Sequence, residues 1–133
     1  MRFSFWLKAA VGISWAVLTV GCASISGAPE TPEQVVKARA QERWNVLIAG
    51  QFDKAFEYLT PTTRSTLPID VFRARLAGAN WRGAKVAGVV CEPEICDVTV
   101  MIDIEVLPNL PHKQPISEKW LLVDGKWWIV YRG

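Results

Sequence analysis

Ile95-Cys96-Asp97-Val98-Thr99-Val100-Met101-Ile102-Asp103-Ile104-Glu105-Val106 is the stretch that decides the fold. Cys96, Val98, Val100, Ile102, Ile104 and Val106 alternate with Asp97, Thr99, Met101, Asp103 and Glu105. A period of two sends these sets to opposite faces of a strand, one apolar and one largely polar. A strand buried on one face only belongs to an antiparallel sheet. Its partner is expected in Trp81–Cys91, across a turn at Glu92-Pro93-Glu94-Ile95. With Cys91 opposite Cys96, Val89 meets Val98, Ala87 meets Val100 and Arg82 faces Glu105, a register that matches like with like.

On the carboxyl side, Leu107–Pro115 contains three prolines and reads as a loop, because proline cannot donate to a central ladder. Ile116–Val123 and Lys126–Arg132 then form a hairpin around Asp124-Gly125, a two-residue turn signal. This pairing sets Leu122 beside Trp127, Trp120 beside Ile129 and Glu118 beside Tyr131 on one face. Lys119, Leu121, Val123, Trp128 and Val130 share the other.

On the amino side the period is helical. Thr31-Pro32-Glu33-Gln34 combines an N-cap, proline at the first helical position and a capping box. Val36, Ala40, Trp44 and Leu47 form the inward stripe, with Lys37, Glu42 and Arg43 mostly elsewhere, and Ala49-Gly50 ends the helix. Gln51–Leu59 is a second, short helix with Phe52, Ala55, Phe56 and Leu59 inward, broken by Thr60-Pro61. A third runs from Pro68 to Ala77, with Gly78 as its stop. The expected class is α+β: three N-terminal helices on a curved antiparallel sheet of about four strands.

The first 21 residues carry two charges, Arg2 and Lys8, followed by an uncharged apolar run too short to span a bilayer comfortably. The run ends in Leu18-Thr19-Val20-Gly21-Cys22, which resembles the signal of bacterial lipoproteins. That resemblance implies cleavage before Cys22, a diacylglycerol on its thiol and a fatty acyl chain such as palmitate on the new amino terminus. Ala23, rather than Asp, implies sorting to the outer membrane, facing the periplasm. The chain then divides into a signal peptide (1–21), a lipidated cysteine with a flexible tether (22–30) and one domain (31–133). The whole chain of 133 residues has 15 Lys+Arg and 13 Asp+Glu. Without Arg2 and Lys8 the count is 13 against 13, so the mature part is formally neutral and offers nucleic acid no basic surface.

The segments Arg43–Arg64, "RWNVLIAGQFDKAFEYLTPTTR", and Glu118–Tyr131, "EKWLLVDGKWWIVY", resemble the nuclear transport factor 2-like superfamily, the cone shared by ketosteroid isomerases and scytalone dehydratases. The first looks like that group's helix, glycine turn, aromatic-rich helix and proline break, and the second like its closing hairpin. These motifs are structural and imply the cone without a reaction. Aromatic residues are abundant enough for a core and a cavity wall, and the candidates for lining a ligand cavity are Trp44, Phe56, Tyr58, Trp120 and Trp127.

Export favours an oxidising compartment, so Cys91 and Cys96 are expected to form a disulfide across the hairpin; free thiols and metal ligation are the alternatives. Glu118 and Tyr131 are the candidates for acid–base work, on a face shared with Trp120, Leu122, Trp127 and Ile129. By residue type alone they match the carboxylate base and tyrosine donor of ketosteroid isomerases. The plainer reading places both at the open end of the hairpin, solvated or bonded to each other. Asp97, Asp103 and Glu105 read as a solvated face, and Arg64, Arg73 and Arg75 as helix-surface arginines. Ser65 and Thr66 lack a neighbouring histidine base. No metal or cofactor motif is present. Trp128 with Leu121, Val123 and Val130 could supply a sheet face for a homodimer.

The function expected from all this is a membrane-anchored periplasmic lipoprotein with a non-catalytic domain binding a small apolar ligand or an envelope protein. The alternatives are an isomerase or hydrolase using Glu118 and a structural assembly module.

Overall fold

The computed structural model describes residues 27–133; the segment expected to be a signal peptide, Cys22 and the first half of the expected tether lie outside the described residues. Four helices precede four strands: α1 (Pro32–Ile48), α2 (Phe52–Phe56), α3 (Pro61–Thr66), α4 (Ile69–Leu76), β1 (Trp81–Glu92), β2 (Ile95–Leu107), β3 (Leu110–Val123) and β4 (Lys126–Ile129). The strands form one antiparallel meander in the order β1-β2-β3-β4. The α+β architecture is the one expected.

The start of α1 is as its sequence dictates. The Thr31 hydroxyl accepts from the Gln34 N–H, and the Gln34 side chain accepts from the Thr31 N–H. The same Thr-Pro signature recurs at Thr60-Pro61. There it does more than break α2: Thr60 caps Thr63 and opens the unexpected helix α3. The Thr31-Pro32 and Thr60-Pro61 pairs therefore carry one meaning, a helix start.

The inward row of β2 is Cys96, Val98, Val100 and Ile102, each at most 4% exposed. They pack under Val36, Ala40, Trp44 and Leu47 of α1, with Leu59, Phe72, Trp120, Trp127 and Ile129 completing the core. The register of β1 against β2 is as expected at Cys91↔Cys96 and Val89↔Val98. It departs at the next step. A bulge at Ala87 puts Val86, not Ala87, opposite Val100, and this keeps the larger Val86 side chain in the core at 3% exposed. Arg82 still reaches Glu105, its Nε 2.8 Å from Oε2.

The prolines required a correction. Leu107–Pro115 is not a loop; it turns at Pro108-Asn109, and Pro111 and Pro115 belong to β3. Backbone alternation explains their place. The Leu122 N–H donates toward β2, to Glu94, whereas the Lys119 carbonyl accepts from Val130 on the other side. Even-numbered residues of β3 therefore face β2, and odd-numbered ones face β4 or, where β4 has ended, open water. Pro111 and Pro115 are odd-numbered. Their missing N–H groups cost no ladder bond, and they blunt an edge that would otherwise invite pairing.

Helix α1 is stitched to both margins of the sheet. The Gln41 side-chain amide donates to the Ala84 carbonyl of β1 and accepts from the Val86 N–H. Arg39 Nε donates to the Trp127 carbonyl of β4 at 3.0 Å. Residues 39 and 41 lie about 200° apart around a helix of 3.6 residues per turn. Opposite flanks of one helix thus hold opposite edges of one sheet, and the sheet must curl around it.

Cys91 and Cys96 are joined by a disulfide, their Cα atoms 4.0 Å apart. The short loop it closes sets its contribution at about 2 kcal/mol. Urea unfolding with and without reductant is expected to show that loss; coincident midpoints would mean the bridge adds no stability.

Candidate functional site

Glu118 is one strand position from the outer, solvated row, yet it points inward and is 9% exposed. Three donors converge on it. Arg43 Nη1 lies 2.8 Å from Oε1, Trp44 Nε1 2.8 Å from the same oxygen, and Trp120 Nε1 3.2 Å from Oε2. The carboxylate is therefore largely withdrawn from solvent and is not bonded to Tyr131. Burial of a charge is tolerated when it is paired and hydrogen-bonded, and here both oxygens are occupied.

Arg43 supplies the countercharge from the middle of α1. The sequence reading set it off the inward stripe. The structure puts it on the stripe's flank, seven residues after Val36 and 6% exposed. Burial pushes its guanidinium below the ordinary arginine value, and the attraction of Glu118 offsets this only in part. Its Nε is buried without a partner. The signal available in the sequence was the seven-residue spacing Val36–Arg43, read together with an inward carboxylate on the far hairpin.

Tyr131 belongs to the same neighbourhood but is held by other forces. Its ring packs edge-on against Phe72 of α4 with centroids 5.6 Å apart, and Arg75 lies over it at 5.9 Å. Beyond Val130, which still donates to the Lys119 carbonyl, the chain no longer pairs with β3. The expected pairing of Glu118 with Tyr131 does not form; the ladder stops at Trp120↔Ile129, with one further bond from Val130 to Lys119. A pocket of about 150 Å³ opens in the resulting fork, lined by Arg43, Ser117, Glu118, Lys119, Val130, Tyr131 and Arg132 among others.

The other expected residues lie as follows. Trp44 and Trp120 are 3% and 0% exposed and fill the core, as does Trp127. Phe56 is half-buried, edge-on to Phe72 at 5.3 Å. Tyr58 lines a separate pocket of about 170 Å³ with Arg39, Glu57 and Lys126. Asp97 and Asp103 on the outer row pair with Lys119 and Lys113. Arg73 is bound by Asp53 and Asp70. Trp128 is half-buried with Arg39, Arg64 and Lys126 within 6 Å of its ring centre.

No protein-family model matches the chain, and no curated protein matches it. Solved structures do. A SEC-C motif containing protein from Rhodopseudomonas palustris is 17% identical, with a TM-score of 0.56 over 76% of each chain. A protein from Campylobacter jejuni described as an NTF2-like transpeptidase is 13% identical, with a TM-score of 0.57 over 73% of this chain and 98% of that one. A chain designated as an NTF2 design is 11% identical, with a TM-score of 0.53 over 71% of this chain and 91% of that one. At these identities the likeness concerns the fold, and helices cradled by a curled four-stranded meander, matched over most of the domain, give this chain the nuclear transport factor 2-like fold.

Proposed function

We propose that the protein is a lipoprotein of the bacterial envelope, anchored through Cys22, whose domain is a non-catalytic interaction module. One observation carries the second half of this reading. Glu118, the carboxylate best placed for acid–base chemistry, already accepts from Arg43, Trp44 and Trp120. A general base needs a free lone pair within reach of the substrate proton; Oε1 of this one is taken by the two donors that hold α1 against β3, and Oε2 accepts from the Trp120 indole of its own strand. Tryptophans that could have walled a ligand cavity in the cone serve as core, which favours a protein or peptide partner over an apolar molecule inside the cone. The outer membrane, facing the periplasm, is the location that the residue after Cys22 supports.

Two measurements test the two halves. Growth with an alkyne analogue of palmitate is expected to label the wild-type chain and leave it in the detergent phase. Cys22→Ser is expected to lose the label and the partitioning; equal partitioning of the variant would overturn the anchor. For the domain, Glu118→Gln at matched folded abundance is expected to restore the wild-type phenotype in a deleted host. A folded variant that fails to do so while retaining partner binding would point to chemistry at this carboxylate.

A further inference from the structure

The fork between β3 and the chain end has three properties that belong together. The first is an open backbone edge. By the alternation established above, Ser117 directs its N–H and carbonyl away from β2, into the space that β4 vacates after Val130. The second is the brevity of that edge. Pro115 bounds it on one side and the Lys119–Val130 bond on the other, so an internal strand of a partner has no room to extend and only a chain end can enter. The third is charge. Arg43, Lys119 and Arg132 line the pocket against one carboxylate, Glu118, and the hydroxyls of Ser117 and Tyr131 join them. Lys119 is engaged by Asp97, but Arg132 lies exposed at the rim, and Arg43 is 6% exposed with its Nε unpartnered.

We infer that this fork binds the free carboxyl terminus of an extended partner segment, which pairs its backbone with Ser117 and sets its terminal carboxylate toward Arg132 and the Arg43 side of the pocket. Strand addition at an edge supplies backbone hydrogen bonds, and capture of a terminal carboxylate supplies direction. A pocket of about 150 Å³ holds a carboxylate and the last side chain, not a long peptide. Pairing of Glu118 with Arg43 removes the repulsion that a buried anion would otherwise exert on the incoming one. The inference rests on the interaction reading of the domain, not on the lipid anchor.

The test is a titration of the full, isotopically labelled chain in detergent with acetyl-Gly-Val-Thr-Val as the free acid, followed by backbone amide resonances. Shifts are expected at Ser117, Lys119, Tyr131 and Arg132, with none from the C-terminal amide at the same concentration. Ser117→Ala, which retains the N–H, is expected to bind as wild type. Ser117→Pro removes it and is expected to weaken binding about tenfold. Its fold is expected to survive, since Pro111 and Pro115 already occupy equivalent edge positions, and its melting curve checks that. Arg132→Gln is expected to weaken binding about threefold, as fits an exposed charge. The inference is overturned if the amide binds as well as the acid, if folded Ser117→Pro binds normally, or if acetate alone moves the same resonances equally. Failure here leaves the Glu118→Gln result untouched, so this site and the non-catalytic reading of the domain fall separately.

Discussion

Glu118→Ala is expected to destabilise the domain by about 3–5 kcal/mol, the range for removing one member of a buried ion pair. The reason is what stays behind. Arg43, 6% exposed, would keep its charge with no counterion, and the indole N–H groups of Trp44 and Trp120 would each lose their acceptor. For a domain of about one hundred residues, a loss of this size lowers the melting temperature by roughly 15 °C or more. A second variant separates this cause from simple loss of packing. Replacing both partners, Arg43→Met with Glu118→Leu, removes the orphaned charge and is expected to be more stable than Glu118→Ala alone, because apolar pairs of similar volume often replace buried ion pairs at little cost. Thermal unfolding by circular dichroism reads both. A melting point for Glu118→Ala within 2 °C of wild type would show that the carboxylate is solvated and that the described site does not exist.

Trp120→Ala is the other large effect, expected to cost about 3–5 kcal/mol. Trp120 is fully buried, packs edge-on to Tyr58 with centroids 6.5 Å apart and donates to Glu118. Truncation therefore removes core volume and one of three donors to the carboxylate together. Trp120→Phe divides these contributions. It keeps most of the ring and loses the N–H, so it is expected to cost about 1.5–3 kcal/mol, the scale of one hydrogen bond to a charged group. Equal losses in the two variants would mean that the hydrogen bond, not the volume, dominates.

Strands β1 and β2, the β3–β4 turn and the first helix were legible in the sequence for a definite reason. Each rests on a local periodicity or cap with one low-energy answer. The alternation from Ile95 to Val106 has a single buried face, and Thr31-Pro32 with Gln34 has a single use. The cysteine register was legible too, because an offset of one would have sent Val89 and Val98 to opposite faces. The bulge at Ala87 was not, since nothing local distinguishes Ala87 from Val86 until the core demands the larger side chain. The second Thr-Pro pair was legible in principle; the polar segment after it lacked an apolar stripe and so concealed α3.

What the sequence by itself determined is the apolar row of each regular element, such as Val36, Ala40, Trp44 and Leu47 of α1 and Cys96, Val98, Val100 and Ile102 of β2, because side-chain direction follows from the 3.6 and 2.0 repeats without any partner. What only the tertiary structure decided is which inward residues meet. Arg43 and Glu118 are 75 positions apart. Gln41 and Arg39 bind opposite sheet margins that no local rule connects. Whether a proline breaks a strand or shields its edge depended on which side of β3 its missing N–H faces, and only the pairing with β2 fixed that. Periodicity is a property of a segment; burial of a charge, closure of a sheet and the opening of a pocket arise between segments, where only their packing together fixes the energy.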